Sequence, residues 1–433
     1  MPLTLTAEEQ ALLAPGAPPA GALAMRILVE TARLLGASEL VPIVGAHIDG
    51  CLYHGESGAL FAEHLRDLGG RVRVPASLNV GALDLLHPEL VKAEPAVQAL
   101  ARRQMEAYVA LGCQPTWTCA PYQAGYRPKP GEQIAWAESN AVVFANSVLG
   151  ARTERYGDFL DICAAITGRA PYVGLHRSEN RRARLLIDVG GLSAALRREP
   201  AFYPVLGSWL GETVGSTVAA IKGVPGDVPE DSLKALGAAA ASTGAVGLFH
   251  VIGVTPEAAS EAEAFAGQPP EETIVFTAAM ARAARDKLST TVSETIDCVA
   301  LGSPHFSLEE CRAFARLAAR SLGGKRFAVP VYLCTRRDLL AALEASGEHA
   351  ALADAGVTFV VDTCVVVTPI LRGSSGGGTG TGSSRGGVMM TNSGKFAHYG
   401  PANTGYQVVY GSLADCARSA VSGRVERDAS LWA

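Results

Sequence analysis

Apolar residues recur at helical spacing from Ala22 to Leu35, then give way to a β-like run, Glu39 to Ile43, which empties into Val44-Gly-Ala-His-Ile-Asp-Gly50. The alternation continues: Leu60 to Leu68 predicts a helix, Arg71 to Val74 a short strand, and Pro88 to Leu111 a helix restarted at Pro95. Gly131 to Ala151 is helix-like, but Asn140 and Asn146 stand where amphipathicity asks for apolar groups, which marks a polar wall.

Farther on, Val218 to Ile221, Ala245 to Ile252 and Thr273 to Phe276 predict strands, with helices over Ser232 to Ala241 and Ala278 to Leu288. The strand signal returns at Cys298 to Leu301, Phe327 to Leu333 and Val357 to Val367, with helices over Leu308 to Leu322 and Arg337 to Ala345 between them. Strands alternating with helices define the α/β class. The length of 433 residues asks for more than one lobe, and an internal boundary is expected within residues 180–230.

Composition narrows the function. The chain is 48% hydrophobic and 18% charged, with no apolar run that would span a bilayer. Met1 to Glu8 lacks the basic start and apolar core of a secretion signal, so a cytoplasmic protein is expected. Net charge is -5, and the two signs are mixed along the chain, which leaves no basic footprint for nucleic acid or an anionic membrane. Nine cysteines at irregular spacing, with no Cys-x-x-Cys pair, form neither a disulfide framework nor a local zinc motif. Residues 372–385, "RGSSGGGTGTGSSR", are nearly pure Gly, Ser and Thr and predict a flexible loop.

Functional side chains concentrate in a few loop-like clusters beside apolar runs: "GAHIDG" (45–50), "GCQPTWTCAPY" (112–122), "DCVALGSPH" (297–305), and "DTCVVV" (362–367) with "MMTNSGKFAHY" (389–399). One thiolate each from Cys119, Cys298 and Cys364 would make a three-cysteine centre gathered from distant segments. Zinc would want a fourth ligand, for which His47 or His305 is available. An iron-sulfur cluster held by three thiolates keeps one iron open as a Lewis acid. Within 112–122, Cys113 and Cys119 both remain in view. His47, two residues before Asp49, and His305 can be aimed by their loops as acids or bases. Arg152, Lys395 and His398 are candidates to hold a carboxylate, and Asn146 and Ser303 to line a substrate pocket.

Six stretches taken together resemble one family: "HIDGCLYHGESG" (47–58), "SLNVGALD" (77–84), "PTWTCAPY" (115–122), "WAESNAVVFANSVLGARTER" (136–155), "GSPHFS" (302–307) and "TNSGKFAHYGP" (391–401). In this order they resemble the large subunit of aconitase X, over about residues 5–425. The resemblance implies an aconitase-like core of stacked α/β lobes, without the swivel domain, built around an iron-sulfur cluster of two or four irons at Cys119, Cys298 and Cys364. It implies a hydro-lyase acting on a small hydroxy acid, with cis-3-hydroxy-L-proline preferred over mevalonate 5-phosphate. His47, Asp49 and His305 are then the candidate acids, and Arg152 or Lys395 the carboxylate anchor. It further implies a separate small swivel-domain subunit that supplies a catalytic serine. A non-catalytic iron or RNA sensor is the alternative from another class, and the lack of a basic stripe counts against it.

Overall fold

Three parallel sheets and one antiparallel ribbon carry the strands of the computed structural model, which describes residues 2–323, 325–371 and 386–432. The Gly/Ser-rich stretch at 372–385 lies outside the described residues. The ribbon pairs β1 (Leu40–Pro42) with β5 (Arg169–Pro171). Beside it, β2 (Ala46–Ile48) is flanked by β3 (Ala76–Leu78) and β4 (Ala135–Trp136). A second sheet has the order β8-β7-β6-β9, with β6 at Leu185–Asp188, β7 at Ala219–Lys222, β8 at Phe249–Val251 and β9 at Glu272–Val275. The third has the order β12-β11-β10-β13-β14, from β10 (Cys298–Phe306), β11 (Val331–Thr335), β12 (Val357–Val360), β13 (Val388–Thr391) and β14 (Gln407–Tyr410).

Parallel neighbours need long crossovers, and helices provide them. The Leu308–Leu322 helix shows how the sequence builds one. Ser307 accepts from the Glu310 N–H at 3.1 Å while the Glu310 carboxylate accepts from the Ser307 N–H at 2.8 Å, a reciprocal cap that starts the helix. Gly323, at φ 53°, ends it in the left-handed conformation. Between them Cys311, Phe314, Ala318 and Leu322 form one buried face against Val299 and Leu301 of β10. Phe314→Ala would cost about 3–5 kcal/mol through the cavity it leaves.

Two expectations shift for physical reasons. Arg71 to Val74 forms no strand, because Val72 and Arg73 donate to the carbonyls of Leu111 and Ala165 in different segments rather than to one neighbouring strand; the strand begins after Pro75. Gly131 to Ala151 is broken into β4, a helix at Ser139–Phe144 and a π-turn at Ala145–Leu149. The Glu138 carboxylate caps the Ala141 N–H at 2.7 Å, which sets the helix start. Among the described residues, no helix is long and apolar enough to cross a membrane.

The carboxyl ends of strands from two sheets point at one place. Asp49 follows β2, Asn79 follows β3 and Glu138 lies just beyond β4, while Ser303 lies in the second half of β10 and Cys364 and Lys395 follow β12 and β13. All six line a single cavity. Parallel α/β sheets bind ligands at such ends because the loops there are free to vary over a fixed scaffold.

Candidate active site

The cavity has a volume of about 430 Å³ and is walled by Cys119 and Cys364 with Ser303 beside them. Its size suits a small metabolite. Both thiols are met by backbone donors. The His305 N–H lies 3.3 Å from Cys119 Sγ, and the N–H groups of Val366 and Val367 face Cys364. Burial pushes the Cys119 thiol up to about 12 and raises that of Cys364, while the nearby Lys395 ammonium opposes both shifts. Such a wall of N–H groups and one cation favours thiolates once a positive partner arrives.

Ser303 reaches the wall because β10 breaks its pairing with β11 between Leu301 and Phe306. Gly302 allows this: its φ is 89°, and a Cβ there would collide with the Cys334 carbonyl. Cys364 is set by a second unusual turn. Asp362 holds φ 62°, its carboxylate paired with Arg337 and accepting from the Leu85 N–H at 3.3 Å.

Cys298 does not belong to this wall, which corrects the three-cysteine expectation. It is the first residue of β10, opposite Met389 of β13 and within the apolar core. Four residues, Val299 to Gly302, lie between it and Ser303, a path of at most about 16 Å of extended chain. Cys334, on β11, is the further thiol in electrostatic reach of both Cys119 and Cys364, and it is fully buried outside the cavity lining. Cys113 is a core residue beneath the first sheet. Among the described residues, no three or more His, Cys, Asp or Glu side chains are grouped to hold a metal ion.

The candidate acids separate in the same way. Asp49 faces the cavity, bonded to the Asn79 amide, and its carboxyl is raised to about 8 by burial and by Glu138, Asp158 and Asp161. It is therefore largely protonated at neutral pH. His47 is fully buried outside the cavity lining; its Nδ1 lies 2.8 Å from Ser77 Oγ, and burial lowers it to about 4. His305 is also buried, with Nε2 at 3.0 Å from the Thr363 carbonyl, and burial lowers it to about 4. Neither imidazole is among the residues that line the cavity.

Two expected substrate contacts are structural instead. Asn146 Nδ2 donates to the carbonyls of Thr153 and Gly247 at 2.9 Å each, and its Oδ1 accepts from Arg181. Arg152 donates to Ser178 Oγ at 2.6 Å and approaches Glu257, away from the cavity. His398 is exposed. Lys395 does line the cavity, and its ammonium lies 2.5 Å from Glu138.

Arg155 and Glu138 are charged lining residues absent from the candidates drawn from the sequence. Both lie inside "WAESNAVVFANSVLGARTER". Arg155 differs from Arg152 by one helical turn's spacing, so only the fold can choose between them. Its guanidinium makes no ion pair among the described residues and reaches only the Gly244 carbonyl, at 3.5 Å.

Comparison with known proteins accounts for nearly all of the chain. Models of the aconitase X first, second and third domains match residues 2–179, 183–286 and 296–422. The cis-3-hydroxy-L-proline dehydratase of Pseudomonas aeruginosa is 44% identical over 99% of this chain and 72% of its own length. The enzyme of that name from Hypocrea jecorina is 40% identical over 92% of this chain and 65% of its own length. The phosphomevalonate dehydratase large subunit of Methanothermobacter thermautotrophicus is 37% identical, over 89% of this chain and 91% of that one. The crystal structure of Thermococcus kodakaraensis aconitase X in its holo form superposes with a TM-score of 0.84 at 33% identity, covering 96% of this chain and 100% of that one. Sequence and fold together show that the chain belongs to the aconitase X family.

Proposed function

We propose that this chain is the catalytic part of an iron-sulfur-dependent hydro-lyase that dehydrates cis-3-hydroxy-L-proline to a pyrroline carboxylate. The observation that carries the reading is the cavity itself: two thiols met by N–H donors, the Asp49 carboxyl, whose burial and acidic neighbours favour its protonated form, and an arginine with no ion pair among the described residues, all in one lining. The two relatives above 40% identity or at it carry that enzyme's name.

Cys119 and Cys364 would hold the cluster, with the Ser303 hydroxyl as a third donor in place of Cys298. The cluster would supply Lewis acidity for a hydroxyl that leaves poorly. The donor set fits: both sulfurs already accept from backbone N–H groups, as cluster thiolates do.

Arg155 holds the substrate carboxylate by charge-assisted hydrogen bonds. Asp49 gives its proton to the departing oxygen, so the C3–O bond breaks and water leaves. The α-proton goes to a base, which we assign to a serine of a separate small swivel-domain subunit. The new C=C bond of the ring then tautomerises to the imine. The partner is supported by the name "large subunit" on relatives of matching length and by the part of the Pseudomonas enzyme beyond the matched region.

Lys395 is neutralised by Glu138, so among the lining residues Arg155 is the arginine or lysine left for an anion. That favours one carboxylate over a carboxylate plus a phosphate. Co-expression with the small subunit, followed by assay of cis-3-hydroxy-L-proline against mevalonate 5-phosphate, tests the choice. Turnover of the second alone would refute it.

A further inference from the structure

Lys234 lies in the helix Glu230–Thr243, 1% exposed, where three segments of the chain meet. Its ammonium is 2.9 Å from Asp231, pairs with Glu310, and donates to the His305 carbonyl at 3.3 Å. Asp231 in turn accepts from Ser307 Oγ at 2.6 Å and from Gln123 at 3.2 Å. Gln123 ends the short turn Pro121–Gln123 that follows Cys119, and Ser307 ends the stretch that carries Ser303. One buried cation thus ties the Cys119 segment, the second-domain helix and the Ser303 segment together.

A fully buried lysine is rare and stays charged only with close anionic partners. Here two carboxylates meet it, yet it spends a third contact on a backbone carbonyl. That carbonyl belongs to His305, whose own N–H is the donor to Cys119 Sγ. We propose that Lys234 is a positioning residue: by fixing the His305 backbone it keeps the N–H···S bond to Cys119 formed, and so tunes whatever centre that sulfur holds. The inference rests on the proposed role of Cys119, but its first test does not need a cluster.

The experiment uses the full chain with two variants, K234M and K234M/E310Q. The double variant keeps the triad's net charge of one negative, so it avoids leaving both carboxylates buried without a partner. In each, amide hydrogen exchange is read at residues 303–306 and, for reference, in the helix Leu308–Leu322. After reconstitution with iron and sulfide, the midpoint potential is measured. Exchange at His305 should quicken by roughly tenfold or more while the helix stays protected. The potential should move to more negative values, since N–H···S bonds stabilise the reduced form. Wild-type exchange at His305 in a folded variant overturns the proposal, as does an unmoved potential. Equal acceleration through the helix in both variants marks a merely structural role and overturns it too. If the wild-type chain takes up no cluster, the proposed function fails while the exchange comparison still decides the role of Lys234.

Discussion

The Lys395 ammonium and the Glu138 carboxylate meet at 2.5 Å in a cavity wall that draws Glu138 from the loop after β4 and Lys395 from the helix after β13. The pair joins the first and third family domains at the site, and each partner is more than four-fifths buried. Lys395 is raised by Glu138 and by both cavity thiols, against the pull of burial.

Removing one partner leaves the other charge buried. K395M should destabilise the chain by about 3–5 kcal/mol, and E138Q by a similar amount. The double variant should recover part of that loss, because no lone charge remains. Chemical denaturation of the three variants checks this, and a double variant as unstable as the sum of the singles would contradict it.

Asp49 sets a pH limit. Its folded carboxyl is raised to about 8 from an ordinary 3.8, so between those values the folded chain holds a proton that the unfolded chain has lost. Stability from this group is therefore full at acid pH and falls as pH rises from about 4 to about 8, by about 1.4 kcal/mol per unit at the steepest. D49N should flatten that part of the stability profile and abolish turnover together. In the wild-type enzyme kcat should decline above about pH 8, as the acid loses its proton. A kcat that keeps rising through pH 9 would remove Asp49 from the acid role.

The two arginines make opposite predictions. R155A should raise KM for cis-3-hydroxy-L-proline by about 10- to 100-fold, the loss of a charged hydrogen-bonding partner. R152A should leave KM near the wild-type value, since that side chain is spent on Ser178 and Glu257. Steady-state kinetics of both variants reads the difference, and the reverse pattern would return the anchor to Arg152.

What the sequence made legible follows from how local each cause is. The helices Leu308–Leu322 and Arg337–Ala345 have the bounds that their apolar period predicts, because that period, and for the first helix its Ser307 cap, lies within one short window. Asp49, Cys364 and Lys395 were legible as candidates because each follows a strand in a motif dense with polar groups, whereas Ser303 lies within β10 and Cys119 in a loop after a helix, and all five line the cavity. Cys298 was misplaced for a directional reason: it stands at a strand's beginning, and the ligand side of a parallel sheet is at the ends. His47 and His305 carry plausible chemistry in sequence, but the burial that keeps both out of the cavity lining is a tertiary fact. The Lys234 network was invisible, since its partners come from three domains and a lysine among alanines reads as a solvated face.

The cysteines test the account most directly. C364S and C298A would each be co-expressed with the small subunit, reconstituted with iron and sulfide, and compared for loss of cis-3-hydroxy-L-proline. C364S should lose at least about 100-fold in turnover, as expected when a group acting on the reacting atoms is removed. C298A should stay within about threefold of wild type, its cost confined to core stability. Loss of turnover in C298A with retention in C364S would contradict the site described here.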